Sequence, residues 1–180
     1  MKLSSLFLTA CTFAAVIVVL PVPQAQAGFR AGHTQNGAAV VRGNSGQYGQ
    51  SGCASGARYG VSGGKACASS YTGPNGNSST STRATGYKAG VGAATNKSTS
   101  YTGANGNTYD NQRQGTYNAQ TGQGAYTGGK SGTYNGTAYG VNTTANGTKG
   151  QGGTVNVDSV NNGSGTCTTG SGCVKTAPTP

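Results

Sequence analysis

After residue 27 this 180-residue chain contains no Leu, Ile, Met or Trp. Its larger apolar residues there are nine Val, Phe29 and ten Tyr. Leu, Ile, Val and Phe make up about 7% of that part, well below the roughly 20% under which disorder is the compositional expectation. Ordering one residue costs on the order of 1–2 kcal/mol of backbone entropy, most for Gly. All 34 glycines fall in this same part. An ordinary aliphatic core is excluded.

Acidic residues are nearly as scarce. Asp110 and Asp158 are the only carboxylate side chains, and His33 is the only imidazole. Catalysis needs positioned acids, bases or nucleophiles, and this stock offers no convincing pair, so the chain is expected not to be an enzyme. His33, in "AGHTQNG", reads as a solvated loop residue. The segment "GGKSGT" (Gly128 to Thr133) resembles a phosphate-binding loop only superficially. It lacks the preceding apolar strand, the full GxxxxGK[ST] frame and the following helix. No cofactor and no metal is expected.

Positive charge, by contrast, is in excess. Eleven Lys and Arg follow residue 27, scattered singly from Arg30 to Lys175, against two Asp. Such a field favours loose contact with anionic surfaces such as polysaccharide, lipopolysaccharide or nucleic acid. It could equally serve only to keep the chain soluble.

The first 27 residues have a different composition. Lys2 precedes the apolar run "LFLTACTFAAVIVVL" (Leu6 to Leu20), Pro21 and Pro23 break it, and "AQA" (Ala25 to Ala27) supplies small residues. This is the pattern of a secretory signal peptide, a helix cleaved after Ala27. The run of about 15 residues is shorter than the roughly 20 a membrane helix needs, so no membrane span is expected after cleavage. "LTAC" (Leu8 to Cys11) looks like a lipoprotein box, but most of the apolar run follows Cys11. The mature chain is expected to be secreted, periplasmic or at the cell surface.

Four cysteines remain after such a cleavage: Cys53, Cys67, Cys167 and Cys173. An even count in an exported chain suggests two disulfides, with three pairings open. Local pairing, Cys53–Cys67 and Cys167–Cys173, is expected because each pair brackets a Gly-rich stretch. The spacings are not CxxC, and the one His lies far from any thiol, which argues against metal binding.

The chain repeats itself. "YTGPNGN" (Tyr71 to Asn77) returns as "YTGANGN" (Tyr101 to Asn107), with Gly60-Val61 echoed by Gly90-Val91, Ser70 by Ser100, Arg83 by Arg113 and Tyr87 by Tyr117. The unit runs from about residue 60 to 89 and again from 90 to 119, a period that points to stacked or meandering supersecondary units. A shortened echo follows in "YTGGKSGTYN" (Tyr126 to Asn135), and a trace of the turn is expected at "ANGT" (Ala145 to Thr148).

Turn chemistry explains the motif. In Gly73-Pro74-Asn75-Gly76, Pro74 presets the angle wanted at the second turn position, Asn75 tolerates the third, and Gly76 takes the positive φ that follows. Gly103-Ala104-Asn105-Gly106 keeps the same geometry. A type I turn with a glycine bulge closes a hairpin. The flanks are rich in Thr and Ser, and alternation puts Asn107, Tyr109, Asn111, Arg113 and Tyr117 on one strand face, with Asn77, Arg83 and Tyr87 matching in the first copy. The candidate ligand face is therefore Arg83, Tyr87, Arg113, Tyr117 and Tyr109.

These units resemble uncharacterised exported bacterial proteins built from Thr-Gly-Pro-Asn-Gly repeats. The resemblance covers about residues 59 to 141 and implies export and repetitive β structure, with no activity attached.

The expected fold is all-β: an antiparallel hairpin or meander repeat over residues 59–160. It is preceded by a flexible Gly/Ser/Gln-rich segment at 28–58, with at most a short strand at Ala38 to Arg42. "GTVNVDSV" (Gly153 to Val160) reads as the last strand. A Gly- and Cys-containing loop and Pro-containing tail follow at 161–180. The expected function is that of an exported, non-catalytic structural or surface-associated repeat protein that self-associates. Two alternatives stand beside it: a binding module for anionic glycans or envelope polymers, and a basic Gly-rich defence peptide. Partners are then the chain itself or an anionic envelope polysaccharide, and export argues against a specific nucleic acid.

Overall fold

A computed structural model describes residues 28–177. The expected signal helix and cleavage site in residues 1–27, and the last three residues of the tail, lie outside the described residues. Twelve strands follow one another: β1 (Gly28–Thr34), β2 (Gly37–Gly46), β3 (Gly49–Arg58), β4 (Ser62–Thr72), β5 (Ser78–Lys88), β6 (Gly92–Thr102), β7 (Thr108–Asn118), β8 (Gln123–Tyr134), β9 (Thr137–Thr148), β10 (Gly152–Ser159), β11 (Gly163–Thr168) and β12 (Gly172–Thr176). Each pairs antiparallel with the next, so the sheet order is the chain order. The result is an all-β meander, and no helix occurs among the described residues.

Each thirty-residue repeat is one hairpin plus the turn that leads into it. The first contributes β4 and β5, the second β6 and β7. Their turns obey the same hydrogen bonds: Gly76 N donates to Gly73 O (3.1 Å) and Gly73 N to Asn77 O (2.8 Å). The Ala104 copy repeats them through Gly106 N to Gly103 O (3.0 Å) and Gly103 N to Asn107 O (2.8 Å). Gly76 and Gly106 have φ of 80° and 77°, the bulge conformation that a side chain would strain.

The third echo is not equivalent. Tyr126 stands inside β8, whose strand runs unbroken to Tyr134. Gly129-Lys130-Ser131 stands where the first two turns have Pro/Ala-Asn-Gly. The chain instead reverses at Asn135-Gly136, with φ of 48° and 78°, the two-residue type I′ hairpin that Asn-Gly favours. Likewise "ANGT" is not a turn: Ala145 to Thr148 belong to β9, and the reversal comes after it, where Gln151 N donates to Thr148 O (2.9 Å).

Residues 28–58 also differ from expectation. Instead of a flexible segment they form β1, β2 and β3, and the short strand expected at Ala38 to Arg42 lies in the first part of β2. The closing stretch, expected as a loop, forms β11 and β12 beyond the strand anticipated at Gly153 to Val160. In both regions small residues (Gly, Ala and Ser in the first, Gly, Ser and Thr in the second) leave the backbone free to complete its ladder. A cross-strand disulfide then holds each region: Cys53 in β3 faces Cys67 in β4, and Cys167 in β11 faces Cys173 in β12. The local pairing is the observed one.

No apolar side chain is buried among the described residues, and Asn111 at 8% exposure is the one buried polar residue. The sheet is held by its ladders and by cross-strand contacts, each worth roughly 0.2–1 kcal/mol. Ser81 and Thr99, directly opposed on β5 and β6, share a hydroxyl hydrogen bond of 3.2 Å. Asn156 on β10 accepts from Thr166 (2.7 Å) and donates to Thr144 (3.4 Å), linking β9 to β11. Tyrosine rings cover glycines in place of an aliphatic layer. A Cβ at Gly63 would stand 2.6 Å from the ring of Tyr87, its direct cross-strand partner.

Candidate polyanion-binding face

In an antiparallel sheet, residues directly opposite one another project from the same face, and so do alternate residues along a strand. The registers therefore sort every strand residue onto one of two faces. Tyr71, Tyr87, Tyr101, Tyr109, Tyr117, Tyr126, Tyr134 and Tyr139, all the strand tyrosines, fall on the same one. Seven cationic residues join them: Arg42, Lys65, Arg83, Lys97, Arg113, Lys130 and Lys175. Both disulfides lie there too.

The opposite face is built from Ala, Gly, Ser, Thr, Asn and Gln with Val41 and Val174, and carries Arg30, Arg58 and Lys88 toward its margins. It also holds both carboxylates: Asp110 stands opposite Ser100, and Asp158 opposite Asn142. These two aspartates sit on β7 and β10, three strands apart, or about 14 Å at the usual strand spacing. They do not form a pair. The tyrosine face thus presents cations and phenols with no acidic side chain among them.

The five candidate residues of the sequence reading come together on this face. Arg83 and Arg113 share one cross-strand row, with Lys97 of β6 between them. Tyr87 and Tyr117 share another, with Ala93 between. Tyr109 stands directly opposite Tyr101, in a third row that also holds Tyr71 and Tyr139. The cationic row is thus bordered by tyrosines, two rows away on either side. The hydrogen-bonding row between it and the Tyr101–Tyr109 border contains Ser81, Thr99 and Asn111. Beside the cations, on the other flank, a shallow depression of about 440 Å³ is lined by Val40, Ser55, Lys65, Thr85 and Tyr87.

Lys97 lies on the outgoing strand β6 and so falls outside the comparison of the two return strands that singles out Arg83 and Arg113. The signal was nevertheless there. Residues equidistant from a turn centre face one another, and Arg83 and Lys97 are equally far from Gly90, as Lys97 and Arg113 are from Asn105. The same arithmetic sets Cys53 opposite Cys67 about Gly60. Among the other chemistry-bearing residues, His33 packs a tilted ring against Tyr59 at 6.1 Å and shares the row of Tyr87.

Comparison of the chain with protein-family models, with curated proteins and with solved structures finds no match to any of them.

Proposed function

We propose that this chain is a non-catalytic, exported protein that works at the cell surface or in an extracellular matrix and holds anionic polymer on its tyrosine face. One observation carries the reading: all eight strand tyrosines and seven of the ten strand cations fall on one face, while both carboxylates and the other three cations occupy the other. A chain using charge only for solubility has no reason to sort it this way. The disulfides fit an oxidising setting outside the cytoplasm. The leader-like residues 1–27 and the resemblance to exported Thr-Gly-Pro-Asn-Gly repeat proteins support export to that setting.

The test is retention of the folded, disulfide-intact mature chain on immobilised polygalacturonate, a carboxylate-bearing glycan, against immobilised neutral dextran. Retention on the first alone, weakened by added salt and by replacing Arg83, Tyr87, Arg113 and Tyr117 with alanine, supports the reading. Equal passage over both matrices refutes it.

A second reading, self-association, is favoured by a separate observation. β1 and β12 are the outer strands of an open sheet, and an outer strand presents unpaired backbone groups that a second copy can pair with. The two readings are compatible, since edge pairing would extend the same cationic face from copy to copy.

A further inference from the structure

The tyrosine face contains one row that a purely structural sheet would avoid. Arg83, Lys97 and Arg113 stand directly opposite one another on three consecutive strands. Each is the sixth residue of an eleven-residue strand, so the row crosses the middle of the sheet. Like charges in direct opposition destabilise a sheet, and all three residues are exposed. Ser, Thr or Gln would serve the fold at any of these positions without that cost.

The surroundings extend the row. Beyond Arg113 the next position is Gly128, and a Cβ there would stand 2.5 Å from the hydroxyl of Tyr126. The phenol thus reaches the place of a side chain in line with the cations. Arg113 donates through Nε to Asn111 Oδ1 (3.3 Å), which anchors the guanidinium and leaves its terminal nitrogens to a ligand. On the other side Arg83 faces Cys67, and the Cys53–Cys67 bond staples β3 to β4 within the row, with Arg42 beyond it.

We infer that this central row is the binding track for a linear polyanion with a charge on every monomer, lying across the strands and advancing about one monomer per strand. The inference rests on the reading above and specifies its site. Cations repeat along the track at the strand spacing of about 4.8 Å. A sugar ring in an extended polyuronate advances by a similar step, so its carboxylates meet successive strands. The flanking hydroxyls of Ser81 and Thr99, and the tyrosine borders, suit sugar hydroxyls and ring faces. A nucleic acid duplex fits less well, because its phosphates spiral away from a single row.

The test compares two triple variants of the full mature chain for affinity to polygalacturonate in low salt. Arg83→Gln/Lys97→Gln/Arg113→Gln empties the track, while Arg30→Gln/Arg58→Gln/Lys88→Gln removes the same charge from the opposite face. The track variant is expected to bind about ten- to a hundredfold more weakly, and the control less than about threefold. Relief of like-charge opposition should leave the track variant at least as resistant to urea as the parent, which separates lost binding from lost folding. Equal losses in the two triples would overturn the track while leaving the polymer-binding reading standing. No binding by the parent chain would overturn that reading itself. Tighter binding of single-stranded oligothymidylate than of polygalacturonate, lost in the same track variant, would overturn the glycan assignment.

Discussion

Lys97→Glu should make the protein more stable and a poorer binder at once. Lys97 has Arg83 on one side and Arg113 on the other, each one strand spacing away. Two unit charges about 4.8 Å apart in water repel by roughly 1 kcal/mol. At physiological ionic strength a Debye length of about 8 Å lowers this to about half. The substitution converts two repulsions into two attractions, for an upper bound of about 2 kcal/mol. Flexible, exposed charged groups rarely realise the full Coulomb value, which brings the expected gain to about 1 kcal/mol. Urea unfolding followed by far-ultraviolet circular dichroism, or by tyrosine fluorescence in this Trp-free chain, measures it. The gain should grow at low salt and nearly vanish at about 1 M, where the Debye length is about 3 Å. Lys97→Gln should give roughly half of it. No gain at low salt would mean that the three side chains do not share a row. A gain indifferent to salt would trace to strand propensity instead of charge.

The turns offer a pair of opposite effects: Gly106→Ala should cost about 1–2 kcal/mol because φ is 77° there, whereas Ala104→Pro should add about 0.4–1 kcal/mol, since Pro74 already occupies the equivalent turn. Both are read from urea midpoints. Replacing Cys53 and Cys67 by Ser should lower stability by about 3 kcal/mol, and replacing Cys167 and Cys173 by about 2 kcal/mol, following the lengths of the loops they close. Mass mapping of the non-reduced chain checks the pairing, and urea unfolding with and without reductant checks the order. Sedimentation velocity should show concentration-dependent association through the outer strands. Val174→Lys on β12, where Val174 is exposed, should reduce it, because edge lysines oppose strand addition.

Much of the repeat region could be read from residue chemistry. Pro74, Asn75 and Gly76 each restrict one turn position, and the conservative exchange with Ala104 pointed to a requirement of shape. Alternation then placed Arg83, Tyr87, Arg113 and Tyr117 on one face, because strand parity survives any error in strand length. The flanking strands were not legible, since composition weighs aliphatic burial and their order has another source. In β3, Cys53 is bonded to β4, and Gly, Ala and Ser side chains do not obstruct the ladder on either side. The echo at Tyr126 misled because its five matching letters come without the one feature that reverses the chain, an Asn-Gly in turn position. Lys97 escaped notice because its importance is relational: one lysine in a Thr- and Ser-rich strand becomes informative only when register sets it between two arginines.

If the two faces of the sheet do different work, side-chain-detected nuclear magnetic resonance during titration with oligogalacturonate will separate them. Shifts are expected at the Arg83 and Arg113 guanidinium Nε–H groups, the Lys97 ammonium and the rings of Tyr87, Tyr117 and Tyr126, with Arg30, Arg58 and Lys88 unmoved. Shifts of equal size on both sets would contradict that division of work.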